Sequence, residues 1–350
     1  MYTARCARTA FFSISSSGFV RCKSCGIASG YKFKSSRALA SETRDDLDLP
    51  QAAPVDLRSP VLYDRTRLQE VTIAGRRLLG VSVGASETCI ISPEHMAFDI
   101  GRCPRAALRM QVVAFTHLHV DHVAGVPFHI ATRSMQRMPP PIYIVPRPVA
   151  QEFAAMIEAF GKLDGSSFEY TLVPMSPGET YQLKKGWVVR PFQTMHTVPS
   201  QGYILYEVRN KLLPKLAGMS TSEIAALRFA GAPIVAQVLV PQLAVTGDTT
   251  LDALAECPDA RQAKALVTEM TFLDNVSSED QARLFGHVHI DEVVRRAEEL
   301  FSEAEGVLFT HFSARYCARE ILSTIDAKIP PTLKAKTTAL VGEVIEVHQN

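Results

Sequence analysis

The sequence predicts an α/β fold around a central sheet core, on three observations. Short apolar runs of four to six residues, bounded by Gly and Pro, alternate with longer helical patterns from Val71 onward. Three of the runs end in a charged or imidazole residue: 112–116 leads into His117, 242–246 into Gly247 and Asp248, and 307–310 into His311. Polar groups set just after buried strands gather at one edge of a sheet, where α/β enzymes assemble their sites. Of 350 residues, 47% are hydrophobic, enough for a sizeable core.

Taken in order, the predicted strands are 88–92, 96–100, 112–116, 142–145, 187–191, 202–208, 242–246, 264–269 and 307–310. The predicted helices are 149–162, 290–301 and 318–327. No repeat recurs at a period of about 20–50 residues. No apolar run reaches the roughly 18 residues that span a bilayer, so no membrane partner is expected.

Residues 1–45 read differently. No Asp or Glu precedes Glu42, while Arg5, Arg8, Arg21, Lys23, Lys32, Lys34 and Arg37 surround a Ser-rich centre. Arg-containing, Ser-rich and acid-free is the composition of an organelle transit peptide; a plain N-terminal tail is the alternative. A linker, 46–60, follows, then a folded domain over 61–335 and a C-terminal tail over 336–350. Eight of the 37 Lys and Arg and four of the 36 Asp and Glu lie in residues 1–50, so the remaining 29 and 32 leave the body at −3. The body is not a basic protein, and any grip on nucleic acid has to be local. The seven Cys show neither disulfide nor zinc-ribbon spacing and read as free thiols in a reducing compartment.

The strongest chemical signal is THLHVDH at 116–122. Alternation sets His117, His119 and Asp121 on one side of an extended segment, while Asp121 and His122 can face a second point. Imidazole and carboxylate donors suit zinc, and manganese or iron as well. One ion does not take all four, so the spacing favours two. His196, Asp248 and His311 are the further donors. Taken singly, His196 and His311 could be packed histidines and Asp248 a helix cap.

The order HxHxDH, His, Asp, His resembles the metallo-β-lactamase superfamily. That resemblance implies a four-layer αββα sandwich with two metals at the sheet edges. It implies His117, His119 and His196 at one zinc, Asp121, His122 and His311 at the other, and Asp248 between them. THLHVDHVAG, GDTT, TEMTF with Glu269, FGHVH with His287, and HFSARY resemble ribonuclease Z within that superfamily, over about residues 70–325. ETCIISPEHMAFDIGRCP and PSQGYILYEVRNKL resemble the short plant and algal plastid forms.

The resemblance implies a zinc-dependent endoribonuclease that removes the 3′ trailer from precursor tRNA, leaving a tRNA 3′-OH and a 5′-phosphorylated trailer. Asp121 would orient the attacking water. His287, oriented by Glu269, would protonate the leaving 3′ oxygen. It further implies a homodimer, a chloroplast or other plastid location (a mitochondrion being the alternative), and a short protruding tRNA-binding arm over 210–233, with Lys211, Lys215 and Arg228 as its cations. This chain departs from the bacterial pattern at two places. The VSVGASET stretch lacks the basic residues of a tRNA-binding loop, and the arm lacks the GP-rich motif. The competing reading is a small-molecule hydrolase of the same fold, acting on a thioester, lactone or phosphodiester. His95, His129, His289 and His348 carry no motif and read as structural or solvated.

Overall fold

The computed structural model describes residues 61–184 and 186–346, and the backbone of two short paired strands, Phe12–Ile14 and Val20–Cys22. The predicted transit peptide and linker otherwise lie outside the described residues. Within 61–346, two seven-stranded sheets carry the fold. The first runs in the order Thr171–Met175, Ile142–Pro146, Val112–Ala114, Met96–Phe98, Glu87–Ser92, Arg76–Val83, Gln69–Ile73. The second runs Tyr181–Gln182, Trp187–Gln193, Gln201–Leu212, Val235–Val245, Ala265–Glu269, Gly306–Thr310, Thr337–Ala339. Each sheet is antiparallel on one side and parallel on the other.

Side-chain alternation along the strands builds the layers. Ala114, Ile144 and Phe98 of the first sheet meet Leu205, Leu243, Val245 and Val267 of the second in one apolar cluster between the sheets. Their neighbours point outward. Val113, Tyr143 and Val145 pack with Val126, Ile130, Phe153 and Ile157 of the helices Val126–Met135 and Ala150–Asp164. Ala244, Leu266 and Phe309 pack with Leu254, Val293, Phe301 and Ile321 on the other side. Strands buried on both faces flanked by helices make an αββα sandwich.

All nine predicted strands are present, and several are longer than their apolar runs. The hairpin Gln69–Ile73/Arg76–Val83 was not predicted; its tight turn uses Ala74 and Gly75 at φ 47° and 70°, without the Asn-Gly signal of such turns. The predicted helix 290–301 breaks at Arg296 into Ile290–Arg295 and Ala297–Phe301. The domain also extends beyond residue 335. Thr337–Ala339 is the parallel edge strand beside Gly306–Thr310, and Glu343–Glu346 pairs with Val61–Asp64, so these parts of 336–350 belong to the fold. Pairing partners some 280 residues away are invisible to local pattern.

The paired strands Gln201–Leu212 and Val235–Val245 run past the sandwich, with burial falling away beyond Tyr206. The helix Thr221–Phe229 lies between their outer ends, started by a Ser220–Glu223 capping box. Strand pairing continues to Leu212 and Val235, so the projecting element is a hairpin that begins before Asn210.

Candidate metal centre

Strand ends and one short helix bring seven side chains together. His117 follows Val112–Ala114, His119 precedes the helix Val120–Val123, and Asp121 and His122 lie within it. His196 follows Trp187–Gln193, Asp248 follows Val235–Val245, and His311 ends Gly306–Thr310. Two of these turns require special backbone. Gly247 has φ 64° and faces the Thr116 side chain, where a Cβ has no room, and His311 itself sits at φ 58°.

His119 Nδ1 lies 3.0 Å from His117 Nε2 and 3.2 Å from His196 Nε2. Nitrogen donors about 2.0–2.1 Å from a tetrahedral ion stand about 3.3 Å apart, so this triad is spaced for one ion. Asp121, His122 and His311 form a second group, with Asp121 Oδ2 3.5 Å from His311 Nε2 and 3.7 Å from His122 Nε2. Asp248 Oδ2 stands between the groups, 3.8 Å from His117 Nε2, 3.4 Å from His122 Nε2 and 3.2 Å from His311 Nε2.

The surrounding shell fixes the imidazoles. Thr116 Oγ1 donates to Asp99 Oδ2 at 2.8 Å and therefore accepts from His117 Nδ1 at 3.1 Å. His122 Nδ1 donates to Asp99 Oδ2 at 2.9 Å, and His196 Nδ1 donates to the Gly286 carbonyl at 3.0 Å. Thr271 Oγ1 donates to Glu269 Oε2 and so accepts from His311 Nδ1 at 3.0 Å. Each partner holds the proton on Nδ1 and turns a bare Nε2 inward. His122 Nε2, His311 Nε2 and Asp248 Oδ1 are buried without a hydrogen-bond partner. Such orphaned atoms are costly unless an ion takes them, and this donor set fits a divalent metal.

Electrostatics agree for most of the set. Burial, together with crowding by other imidazoles, pushes His117 well below the usual range; burial also lowers His119 and His196. Neutral imidazole is the ligating form. Burial works against the Asp248 charge, but His311 and His122 hold its carboxyl well below the ordinary range. His122 differs: despite burial, Asp248 and Asp99 raise it well above the usual value, so a proton competes with a metal for its Nε2.

Glu269 and His287 stand beside this cluster. Glu269 is buried and accepts from Thr249 N (2.8 Å), Thr271 Oγ1 (2.5 Å), Val288 N (3.1 Å) and His287 Nδ1 (2.8 Å). His287 stacks on His311 with ring centroids 5.4 Å apart, and it shares a donor group with His196 and Asp248. Burial opposes its charge, but Glu269 outweighs that and raises it to about 9.

The sequence reading missed the supports. Asp99 lay inside a predicted strand, although a lone carboxylate in the apolar run MAFDI was a usable signal. Arg65 gave none. Its guanidinium donates to the carbonyls of Phe312 (2.7 Å), Ser313 (3.1 Å) and Tyr316 (2.6 Å), pinning the loop after His311. Lys211, Lys215 and Arg228 are exposed on the projecting hairpin, outside the metal cluster. His129 is buried against Tyr143, His95 packs on Trp187, and His289 caps the helix Ile290–Arg295.

Residues 95–312 match the beta-lactamase superfamily domain model. Over 271 residues, the chain is 40% identical to tRNase Z TRZ1 of Arabidopsis thaliana, covering 77% of this chain and 96% of that protein. The chain belongs to the tRNase Z family. It is also 38% identical over 264 residues to tRNase Z TRZ2, chloroplastic, of the same plant, covering 75% of this chain and 74% of that protein. Nuclear ribonuclease Z of Triticum aestivum is 40% identical over 163 residues, which is 46% of this chain and 93% of that protein. In this tRNase Z family member, the matched superfamily domain spans all seven clustered His and Asp side chains together with Glu269 and His287.

Proposed function

We propose that this protein is a zinc-dependent endoribonuclease that cuts the 3′ trailer from precursor tRNA, leaving a 3′-OH on the tRNA and a 5′-phosphate on the trailer. The observation that carries this reading is the Glu269–His287 pair standing over a bipartite His/Asp cluster in a chain of the tRNase Z family. His117, His119 and His196 would hold one zinc ion, Asp121, His122 and His311 a second, and Asp248 would reach both. Bound there, the ions would neutralise phosphate charge and activate water.

The chain's own groups do the rest. Asp121 orients the attacking water while its carboxylate stays beside His122 and His311. Glu269 fixes the His287 ring through Nδ1, which leaves Nε2 to deliver a proton to the departing 3′ oxygen. Three further donors hold Glu269 still, so the ring cannot swing away.

The projecting hairpin is proposed to contact the tRNA body, with Lys211, Lys215 and Arg228 as exposed cations. Plastid import through residues 1–45 is supported by their composition and by the chloroplastic name of one relative. A homodimer is proposed on the family resemblance and is tested by light scattering. The functional test is incubation of the zinc-loaded protein with a precursor tRNA and mapping of the new ends. Cleavage at the base of the trailer with a 5′-phosphate is the expected result. Intact RNA alongside hydrolysis of a small ester or lactone would replace the proposal by the small-molecule alternative.

A further inference from the structure

Arg102 follows a segment whose backbone is tied to the backbone that carries Asp121 and His122. Ile100 N donates to the His122 carbonyl at 2.9 Å, Gly101 N to the Thr88 carbonyl at 2.9 Å, and Gly125 N to the Ile100 carbonyl at 2.8 Å. A Cβ at Gly101 would run into the Asp121 carbonyl, and one at Gly125 would stand 2.5 Å from the Ile100 carbonyl oxygen and 2.7 Å from Cys103 N. Glycine permits both close approaches. Arg102 therefore starts one Cα step, about 3.8 Å, from a residue that lies against Asp121.

The Arg102 side chain is held as well. Its Nε lies 3.2 Å from Glu87 Oε2; the Glu87 side chain is 1% exposed and that of Arg102 is 61% exposed. Glu87 follows the Gly84–Ser86 turn, whose Gly84 N donates to the Phe312 carbonyl at 3.0 Å, next to His311. Both ends of the pair are thus tied to segments that carry metal-facing residues. An ion pair with a buried carboxylate at Nε reduces the rotamer freedom of a long side chain and leaves the Nη groups for another oxyanion. That fork matches phosphate geometry. Residues 81–88, which include the Gly84–Ser86 turn beside Phe312, contain no Lys or Arg.

We propose that Arg102 grips a backbone phosphate of the RNA next to the scissile one. This rests on the precursor-tRNA reading above. The test is steady-state cleavage of precursor tRNA at several salt concentrations by Arg102→Ala, Arg102→Lys and the double variant Arg102→Ala/Glu87→Gln. The double variant removes the pair together, so no buried carboxylate is left without its Arg102 partner. In the alanine and double variants KM should rise about tenfold while kcat stays within about twofold. The log–log salt dependence of affinity should become shallower by about 0.7–1, the share of one phosphate contact. Lysine should fall between, since it keeps the charge and loses the fork. Unchanged KM and salt slope in the alanine and double variants would overturn the proposal. So would parallel losses in kcat, zinc content and cleavage of bis-p-nitrophenyl phosphate, which would make Arg102 a support of the metal site. If the wild-type protein leaves precursor tRNA intact, the functional reading itself fails and this proposal falls with it.

Discussion

Replacing Asp99 by Asn tests whether the shell around the cluster sets the metal affinity. Asp99 is buried, and its carboxylate accepts from Thr116 N at 2.8 Å, Thr116 Oγ1 at 2.8 Å and His122 Nδ1 at 2.9 Å. In Asp99→Asn the amide oxygen keeps the Thr116 N bond, so the amide NH₂ faces Thr116 Oγ1 and His122 Nδ1. The hydroxyl can turn and accept. The imidazole can accept only by moving its proton to Nε2, the atom that faces Asp248 at 3.4 Å. A protonated Nε2 does not ligate, so metal binding would have to restore the tautomer against two opposed N–H groups. Losses from such outer-shell changes run to about 10–100-fold in affinity, or about 1.4–2.7 kcal/mol. The fold should survive, because Asn tolerates the φ of 55° at this position. Asp99→Ala should instead cost about 3–5 kcal/mol of stability, through buried unpaired donors and a strained backbone. Zinc affinity is read by competition with a chromophoric chelator, and stability by thermal unfolding of the metal-free protein. An Asn variant that binds zinc as tightly as the wild type would refute the tautomer argument.

Four further outcomes are expected. Glu269→Gln and His287→Ala should retain metal while turnover of precursor tRNA falls about 10²–10⁴-fold; normal turnover in single-turnover assays would demote the pair to structure. Replacing 211–232 by a short Gly-Ser turn should raise KM for precursor tRNA and spare cleavage of bis-p-nitrophenyl phosphate; loss of the small substrate as well would show that the hairpin supports the core. Burial lowers His129 from 6.5 to about 4, so it stays neutral in the fold while the unfolded chain takes up a proton below about pH 6.5. Its contribution is intact above pH 6.5 and is lost as pH falls to about 4, by about 3 kcal/mol. The denaturation midpoint of His129→Gln should accordingly fall less steeply over that window, and parallel curves would disprove the assignment. Residues 1–45 fused to a fluorescent protein should enter plastids; mitochondrial signal would correct the compartment, and cytosolic signal would remove the import reading.

The His/Asp cluster was legible because its members follow apolar strands, and a strand end is a local feature of sequence. His117, Asp248 and His311 each come within three residues of such an end. Local pattern also announced a central sheet core, while the sandwich came from the family resemblance; alternation sets Val113 and Ala114 on opposite faces of their sheet. What the chain alone did not show was support from a distance. Arg65 reaches carbonyls about 250 residues away, and its flanking sequence carries no motif. Thr271 was an ordinary residue of TEMTF until folding set it between Glu269 and His311. The edge strand Thr337–Ala339 and the pair Val61–Asp64/Glu343–Glu346 depend on partners elsewhere in the chain, which no window of local periodicity contains. The sequence therefore singled out the groups that gather at the sheet edges, while the tertiary structure decided their tautomers, their spacing and what holds them still. Proton placement on an imidazole depends on the atom packed against its other nitrogen, and packing across such distances exists only once the sheets have met.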